Sequence, residues 1–362
     1  MKKNKARVIA FYLPQFHPVP ENDEWWGPGF TEWNSVAKAK PLFKGHIQPK
    51  IPADLGFYDL RVNEVRKAQA DLAREAGVEG FCYWHYWFGG EKRLLERPFN
   101  EVLNSKEPDF PFCLGWANHN WYQKLWDPTG NGDKLLIEQK YLGREDYINH
   151  FITTLLPAFT DERYIKVDDK PIFVIYSIDN KESIKEIISV WTKLAIEKGL
   201  KGIYFVAVQR KETKKEIKDL GFDAMYRLQD YLKTYVDQPY LVKALQFLNI
   251  KIFNTPRQID YERLSDNLYI DQHYDEDTIP TIIPNYDHTP RSGSRGFVIT
   301  NSTPSLFIKQ VQKAMSYLKN KKDSKKILFL VSWNEWGEGN YMEPDNIYGR
   351  KYIEALKSII KE

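Results

Sequence analysis

Short apolar runs of β type recur along this chain, and between most of them lies a segment with helical periodicity. The runs are Val8–Leu13, Gly80–Trp84, Phe112–Trp116, Pro171–Tyr176, Ile203–Val208, Ala224–Tyr226, Thr281–Pro284 and Ile327–Ser332. Arg61–Ala76 places Val62, Val65, Ala68, Leu72 and Ala76 on one stripe. Glu182–Lys198 does the same with Ile184, Ile187, Ile188, Trp191, Leu194 and Ala195, and Ser305–Lys319 and Tyr348–Ile360 repeat the pattern. Eight strands alternating with helices predict an α/β fold, a single (β/α)8 TIM-like barrel with chemistry on elaborated loops at the C-terminal face of the strands. The sixth run is only three residues long, and without it the alternation would equally suit a doubly wound open sheet.

At 362 residues the chain has the length of one barrel with insertions. Neither a Gly/Pro/Ser-rich linker nor an internal repeat divides it, so residues 1–362 read as one domain. Two long connections, Pro14–Leu60 and Arg227–Ile279, are expected over one rim.

Charge excludes several function classes. Fifty-two Lys and Arg against 49 Asp and Glu leave +3, without the basic excess of a nucleic-acid or membrane-surface binder. Two cysteines, Cys82 and Cys113, each inside an apolar run, read as buried thiols rather than a disulfide scaffold or a metal site. Lys2, Lys3, Lys5 and Arg7 precede an apolar stretch that is too short for a signal peptide and is broken by Pro14, and no run approaches a membrane span. The expectation is a cytoplasmic protein with no transmembrane segment and no nucleic-acid partner.

Aromatic residues make up 15% of the chain, and many stand in polar company, as in Trp84-His85-Tyr86-Trp87 and Asn118-His119-Asn120-Trp121-Tyr122. Aromatics can simply fill a core. Mixed with amides and carboxylates, their flat faces also suit pyranose rings, which stack through C–H faces and hydrogen-bond at the rim.

The segment Ile327–Gly339 is the most informative. An apolar strand runs into Trp333-Asn334-Glu335-Trp336-Gly337-Glu338-Gly339, with Met342-Glu343-Pro344 beyond. In a regular strand Glu335 and Glu338 would point to opposite faces, whereas a loop or helical turn lets both face one cavity. Two carboxylates in an aromatic pocket suit glycosidic bond cleavage, one donating a proton to the leaving oxygen and the other assisting at the sugar. The alternative is a pair of solvated loop glutamates, which the flanking Trp333 and Trp336 make costly.

Other strand ends supply polar groups: Tyr12 and Gln15 after the first, His85 after the second, Asn118 and His119 after the third, Gln209 after the fifth, and Asn285, Tyr286 and His288 after the seventh. Each alone has a structural explanation, as a satisfied strand-end residue or a turn cap. Together they predict one pocket. The histidines lack metal-ligand spacing, Phe88-Gly89-Gly90-Glu91-Lys92 lacks phosphate-loop spacing, and the basic run Lys319–Lys326 reads as a solvated loop. No cofactor is expected.

Phe11-Tyr-Leu-Pro-Gln-Phe-His17, Trp33-Asn34, Gly80-Phe-Cys-Tyr-Trp-His-Tyr-Trp-Phe88, Trp116-Ala-Asn-His-Asn-Trp121 and Trp333-Asn-Glu-Trp-Gly-Glu-Gly339 resemble the WbsX family, from Arg7 to about Leu356. Its members are found in bacterial O-antigen and capsule clusters and are labelled glycosyltransferases. That family is similar to glycoside hydrolase family 99, the endo-α-mannosidases, which are metal-independent retaining (β/α)8 barrels. The resemblance implies that Glu335 is the base helping the substrate's own 2-hydroxyl attack C1, giving a 1,2-anhydro sugar. It makes Glu338 the acid for the leaving oxygen and then the base for water. Gly337 stands where the family-99 motif has histidine, and Tyr226 lies near a strand end where those hydrolases place a pocket tyrosine.

Three functions follow as expectations. The first is a retaining glycoside hydrolase acting on an α-linked bacterial polysaccharide or oligosaccharide, with Glu335 and Glu338 catalytic. Tyr12, Gln15, Trp84, His85, Trp87, Asn118, His119, Trp121, Gln209, Tyr226, Asn285, Tyr286, Trp333, Asn334 and Trp336 would contact substrate. The second is a glycosyltransferase in polysaccharide assembly, although no Asp-x-Asp-like metal site or nucleotide loop is present. The third is a non-catalytic glycan-binding barrel.

Overall fold

The structure, a computed structural model, describes residues 4–123, 134–227, 238–268 and 275–361. Eight parallel strands form its main sheet: β1 (Arg7–Tyr12), β2 (Val78–Trp87), β3 (Phe112–Trp116), β4 (Lys170–Ile175), β5 (Tyr204–Gln209), β6 (Ala224–Arg227), β7 (Thr281–Ile282) and β8 (Ile327–Leu330). They are hydrogen-bonded in the order β6-β5-β4-β3-β2-β1-β8-β7. Phe11 pairs with Cys82, Cys82 with Cys113, and Leu330 with both Ala10 and Ile282. Among the described residues the seam between β6 and β7 is spanned by one parallel bridge, Met225 to Thr278. There the amide of Met225 donates to Asp277 at 2.9 Å and that of Ile279 to Met225 at 2.8 Å. The ring is thus a nearly closed (β/α)8 barrel.

Every expected strand is present, with adjusted ends. β2 runs on to Trp87 because its aromatic end pairs with Arg93–Leu94, Tyr86 facing Leu94 and Trp87 facing Arg93. β7 shrinks to two residues between Pro280 and Pro284, neither of which can donate to a ladder.

A helix follows each strand: α1 (Asn63–Ala76), α2 (Arg97–Ser105), α3 (Arg144–His150, prolonged by a π turn and Leu156–Phe159), α4 (Lys181–Glu197), α5 (Lys214–Asp219), α6 (Tyr261–Asn267), α7 (Pro304–Ser316) and α8 (Lys351–Ile360). Their ends obey local chemistry. Asn180 accepts from Ser183 to cap α4, Thr303 accepts from Leu306 to cap α7, and α1 stops at Gly77 with φ of 90°. α8 packs between α1 and α7, so the last helix closes the outer ring on the first.

The barrel interior is aromatic. Phe11 stacks on Trp84 at 4.8 Å and lies 5.4 Å from Tyr226 and 5.1 Å from Phe329, so β1, β2, β6 and β8 share one floor beneath the mouth. Cys82 and Cys113 are buried there as free thiols. Among the described residues no helix is long and apolar enough to cross a membrane. In the second long connection, helix Tyr240–Phe253 buries none of its residues and leaves Leu241, Leu245, Leu248 and Ile252 exposed along one stripe.

Candidate active site

Past β8 the backbone does not continue as a strand. Asn334–Glu335 pairs antiparallel with Asn340–Tyr341, and the two short segments are joined by a 3₁₀ turn over Trp336–Glu338. Gly339 closes the turn at φ of 53°, where a Cβ would come within 2.7 Å of Asp287. Ser332 pins the base of this hairpin. Its hydroxyl donates to the carbonyl of Asn340 at 2.7 Å and accepts from the amide of Glu335 at 3.1 Å. The turn is the physical reason that carboxylates three residues apart face one space.

That space is a cavity of about 370 Å³ at the C-terminal mouth of the barrel. It is lined by the rings of Phe11, Trp84, Tyr86, Tyr176 and Tyr226 and by Glu335, Glu338, His288 and Arg291. Glu335 accepts from the indole N–H of Trp84 at 3.2 Å. Burial, reinforced by the neighbouring Glu338, pushes its carboxyl up to about 8, so it is protonated at neutral pH. Glu338 retains 22% side-chain exposure and is gripped by Nη1 of Arg291, with Nε2 of His288 at 3.7 Å.

Arg291 serves two carboxylates. Its other edge donates to Glu32, with Nη2 3.0 Å from Oε1 and Nε 3.2 Å from Oε2. Glu32 opens the helix Glu32–Lys38, which Thr31 and Asn34 cap reciprocally, and it is fully buried. Burial raises its carboxyl to about 7 against the pull of Arg291. Arg291 thus bridges Glu32 and Glu338, and its charge also acts on Glu335.

Underneath, Glu343 receives three hydrogen bonds, from Gln69 Nε2 at 2.6 Å, Trp336 Nε1 at 2.7 Å and Tyr58 Oη at 2.9 Å, and burial raises it to about 7. Tyr12 extends the chain by donating to Gln69 at 2.6 Å. This network fixes Trp336, which also stacks on Tyr341 at 3.7 Å, and through it the turn bearing both glutamates.

Of the residues expected from sequence, Gln15, Trp84, His119, Trp121, Tyr226, Tyr286, His288, Glu335 and Glu338 line the cavity. Others lie behind it. Strand alternation turns His85 and Trp87 away from the faces of Trp84 and Tyr86 and onto His150: His85 Nε2 is 3.0 Å from its ring nitrogen, and Trp87 stacks on it at 3.9 Å. Tyr12 is absorbed in the Glu343 network. Asn118 ties β3 to β4 through Ser177, accepting at 2.8 Å and donating at 2.7 Å. Asn334 holds the backbone of Leu13 in the same two-way fashion. Gln209 donates to the carbonyl of Glu212, and Asn285 accepts from the amide of Tyr341 beside a neighbouring cavity. Trp333 and Trp336 are buried under the hairpin.

Sequence reading did not single out Glu32, Tyr86, Tyr176, Arg227 or Arg291. The one available signal for Arg291 was a charged residue on the rim nine positions past β7, and for Glu32 a capping box with an acid at its first position. Among the described residues no three His, Cys, Asp or Glu side chains gather as a metal site.

Comparison with known proteins adds kinship to this geometry. The family profile described as Glycosyltransferase WbsX matches residues 8–356. Two curated relatives, each called "Uncharacterized protein WxcX" and coming from two strains of Xanthomonas campestris pv. campestris, are 34% identical over 356 residues. The match takes in 98% of this chain and 50% of theirs, so the chain spans about half the length of these relatives. Among solved structures, a "Glycoside hydrolase-like protein" superposes with a TM-score of 0.58 at 16% identity, over 99% of this chain and 95% of the other. The GH99 endo-alpha-mannosidase from Bacteroides thetaiotaomicron gives 0.56 at 14%, over 98% and 95%. At such identities the likeness is one of fold.

Proposed function

The chain belongs to the WbsX glycosyltransferase family, and from that premise and its site we propose a carbohydrate-active enzyme, a retaining glycoside hydrolase acting on an α-linked bacterial glycan. One observation carries the reading. Two glutamates converge on an aromatic-walled cavity at the barrel mouth, and one of them is held protonated by burial beside the other. The whole barrel, as one catalytic domain, would serve this reaction.

The roles follow the family-99 resemblance. Glu335 starts protonated. A sugar 2-hydroxyl donating to Glu335 favours its ionised form, and the proton passes to Glu338 beside the leaving oxygen. The 2-oxygen then attacks C1 as Glu335 takes its proton. The C1–O bond breaks with protonation by Glu338, and a 1,2-anhydro sugar remains. Water, deprotonated by Glu338, opens that ring at C1, and the 2-oxygen recovers its proton from Glu335. Two inversions give net retention. Arg291 positions Glu338 throughout, and the aromatic floor takes up the sugar's apolar face.

Transfer is the second reading, favoured by the family's own description. Product analysis by mass spectrometry separates the two. Wild type and Glu335→Gln are incubated with bacterial surface polysaccharides and, separately, with sugar nucleotides plus acceptor. Oligosaccharides released by wild type alone support hydrolysis. Donor consumption with acceptor elongation overturns it in favour of transfer, and silence in both arms overturns it in favour of a binding role.

A further inference from the structure

The cavity's charge is lopsided. On the β7–β8 side Arg291 is matched by Glu32 and Glu338. On the β4–β6 side Arg227 lines the cavity, and the exposed Arg210 stands over Tyr176 at its border. Arg227 ends β6 opposite Gln209 of β5. Arg210 follows β5 and places its Cζ over Tyr176, 4.5 Å from the ring centre. Tyr176 in turn meets Trp84 edge-on at 5.7 Å, and Trp84 donates to Glu335. Two aromatic rings thus separate the Arg210 guanidinium from the reacting carboxyls along one wall.

Among the described residues neither arginine has a carboxylate partner. Glu212, the acid nearest in sequence to Arg210, turns its Oε2 to the backbone amides of Arg210 and Lys211 instead. The imidazoles on the wall add no compensating charge. His119, 5.1 Å from Tyr176, is lowered to about 4 by burial and by Arg210, and His288 is likewise lowered by burial.

A guanidinium carries five N–H donors, so the contact of Arg210 with the ring and hydroxyl of Tyr176 leaves others for a ligand. Planar N–H pairs of this kind bind oxyanions bidentately, and the charge-assisted bonds are the strong ones. We propose that this side of the cavity is a subsite for an acidic sugar, a residue bearing a carboxylate or phosphate next to the one held at Glu335 and Glu338. The proposal deepens the glycan reading of this site and rests on it. Arg210 and Arg227 would confer specificity for acidic glycans and would not take part in bond cleavage.

The test is equilibrium binding followed by the fluorescence of the cavity tryptophans, Trp84 and Trp121, with D-glucuronate, D-glucose 6-phosphate and D-glucose as probes. Wild type should bind at least one acidic sugar about tenfold more tightly than glucose, and the preference should shrink as salt is raised. Arg210→Gln and Arg227→Gln should each reduce the preference to threefold or less, with an unchanged circular dichroism spectrum. Glucuronate leading marks a uronate substituent, and the phosphate ester leading marks a phosphorylated glycan. Equal binding of all three probes, or variants that keep the preference, overturns the proposal, as does tighter binding of a nucleoside diphosphate than of either acidic sugar. Because binding needs no turnover, Glu335→Gln should keep the preference. Acid selectivity without hydrolysis of any glycan would then sink the hydrolase reading and leave the subsite standing.

Discussion

The carboxylate of Glu32 stands in the space that a side chain at residue 337 would fill. A Cβ on Gly337 would overlap Glu32 Oε2 and come within 3.0 Å of Arg291 Nε. The family-99 motif has histidine at this position. In this chain the volume is taken by an acid from the loop after β1, held there by Arg291. Gly337→Ala should therefore push Glu32 off Arg291, loosen the grip on Glu338 and lower kcat/KM about 10- to 100-fold. Glu32→Ala with Gly337→Ala should lose less than the two single losses combined, a coupling that a double-mutant cycle reads directly. Additive losses would show that the two positions act independently.

Glu335→Gln and Glu338→Gln should each cut turnover by about 10²–10⁴-fold or more with folding unchanged. Leaving-group dependence distinguishes their roles. An activated aryl glycoside needs little protonation of its leaving oxygen, so it should recover much of the rate in Glu338→Gln and little in Glu335→Gln. The opposite pattern would exchange the acid and the base.

Stability should fall as pH rises from 6.5 to 8. Glu335 holds its proton in the fold up to about 8, and Glu32 and Glu343 up to about 7, against 4.5 for an ordinary glutamate. Between those values the folded chain binds more protons than the unfolded one, so their contribution is complete below about 4.5 and disappears toward 8. Buried histidines act oppositely, since His119 is lowered to about 4 and His85 and His150 are also lowered, but their window lies below 6.5. Thermal unfolding followed across pH 6.5–8 should show a declining Tm in wild type and a shallower decline in Glu335→Gln. A flat wild-type profile would contradict the burial argument.

Glu343→Ala should leave the donors of Tyr58, Gln69 and Trp336 buried without their acceptor, at about 1–3 kcal/mol each before relaxation. A Tm drop of several degrees together with lost activity is expected. A stable variant with normal kinetics would show that the network does not position the catalytic turn.

The barrel was legible because its two periodicities, apolar runs and 3.6-residue stripes, are local properties of the chain. The carboxylate pair was legible for a similar reason, lying within one motif at the end of β8. Arg291 and Glu32 were not, because their meaning is relational: they meet across 259 positions of sequence. The polar residues at strand ends divided between cavity and scaffold by pleat and turn. His85 and Trp87 follow Trp84 and Tyr86 so closely that only the strand's register decides which pair faces the cavity. Asn118 and Asn334 had the composition of ligand contacts, yet each stitches two backbones together.

Mechanically, the barrel is a rolled sheet fastened by a clasp. Seven of its junctions are laddered, whereas among the described residues the eighth is the single bridge at Met225. Load across the mouth concentrates where rungs are fewest, so the wall between β6 and β7 is the one that parts most easily, while β8 and its hairpin stay anchored to β1. Arg227, two residues beyond the clasp, would ride on the moving edge, and the gauge of the opening would be read by the distance between that cation and the stationary carboxylates.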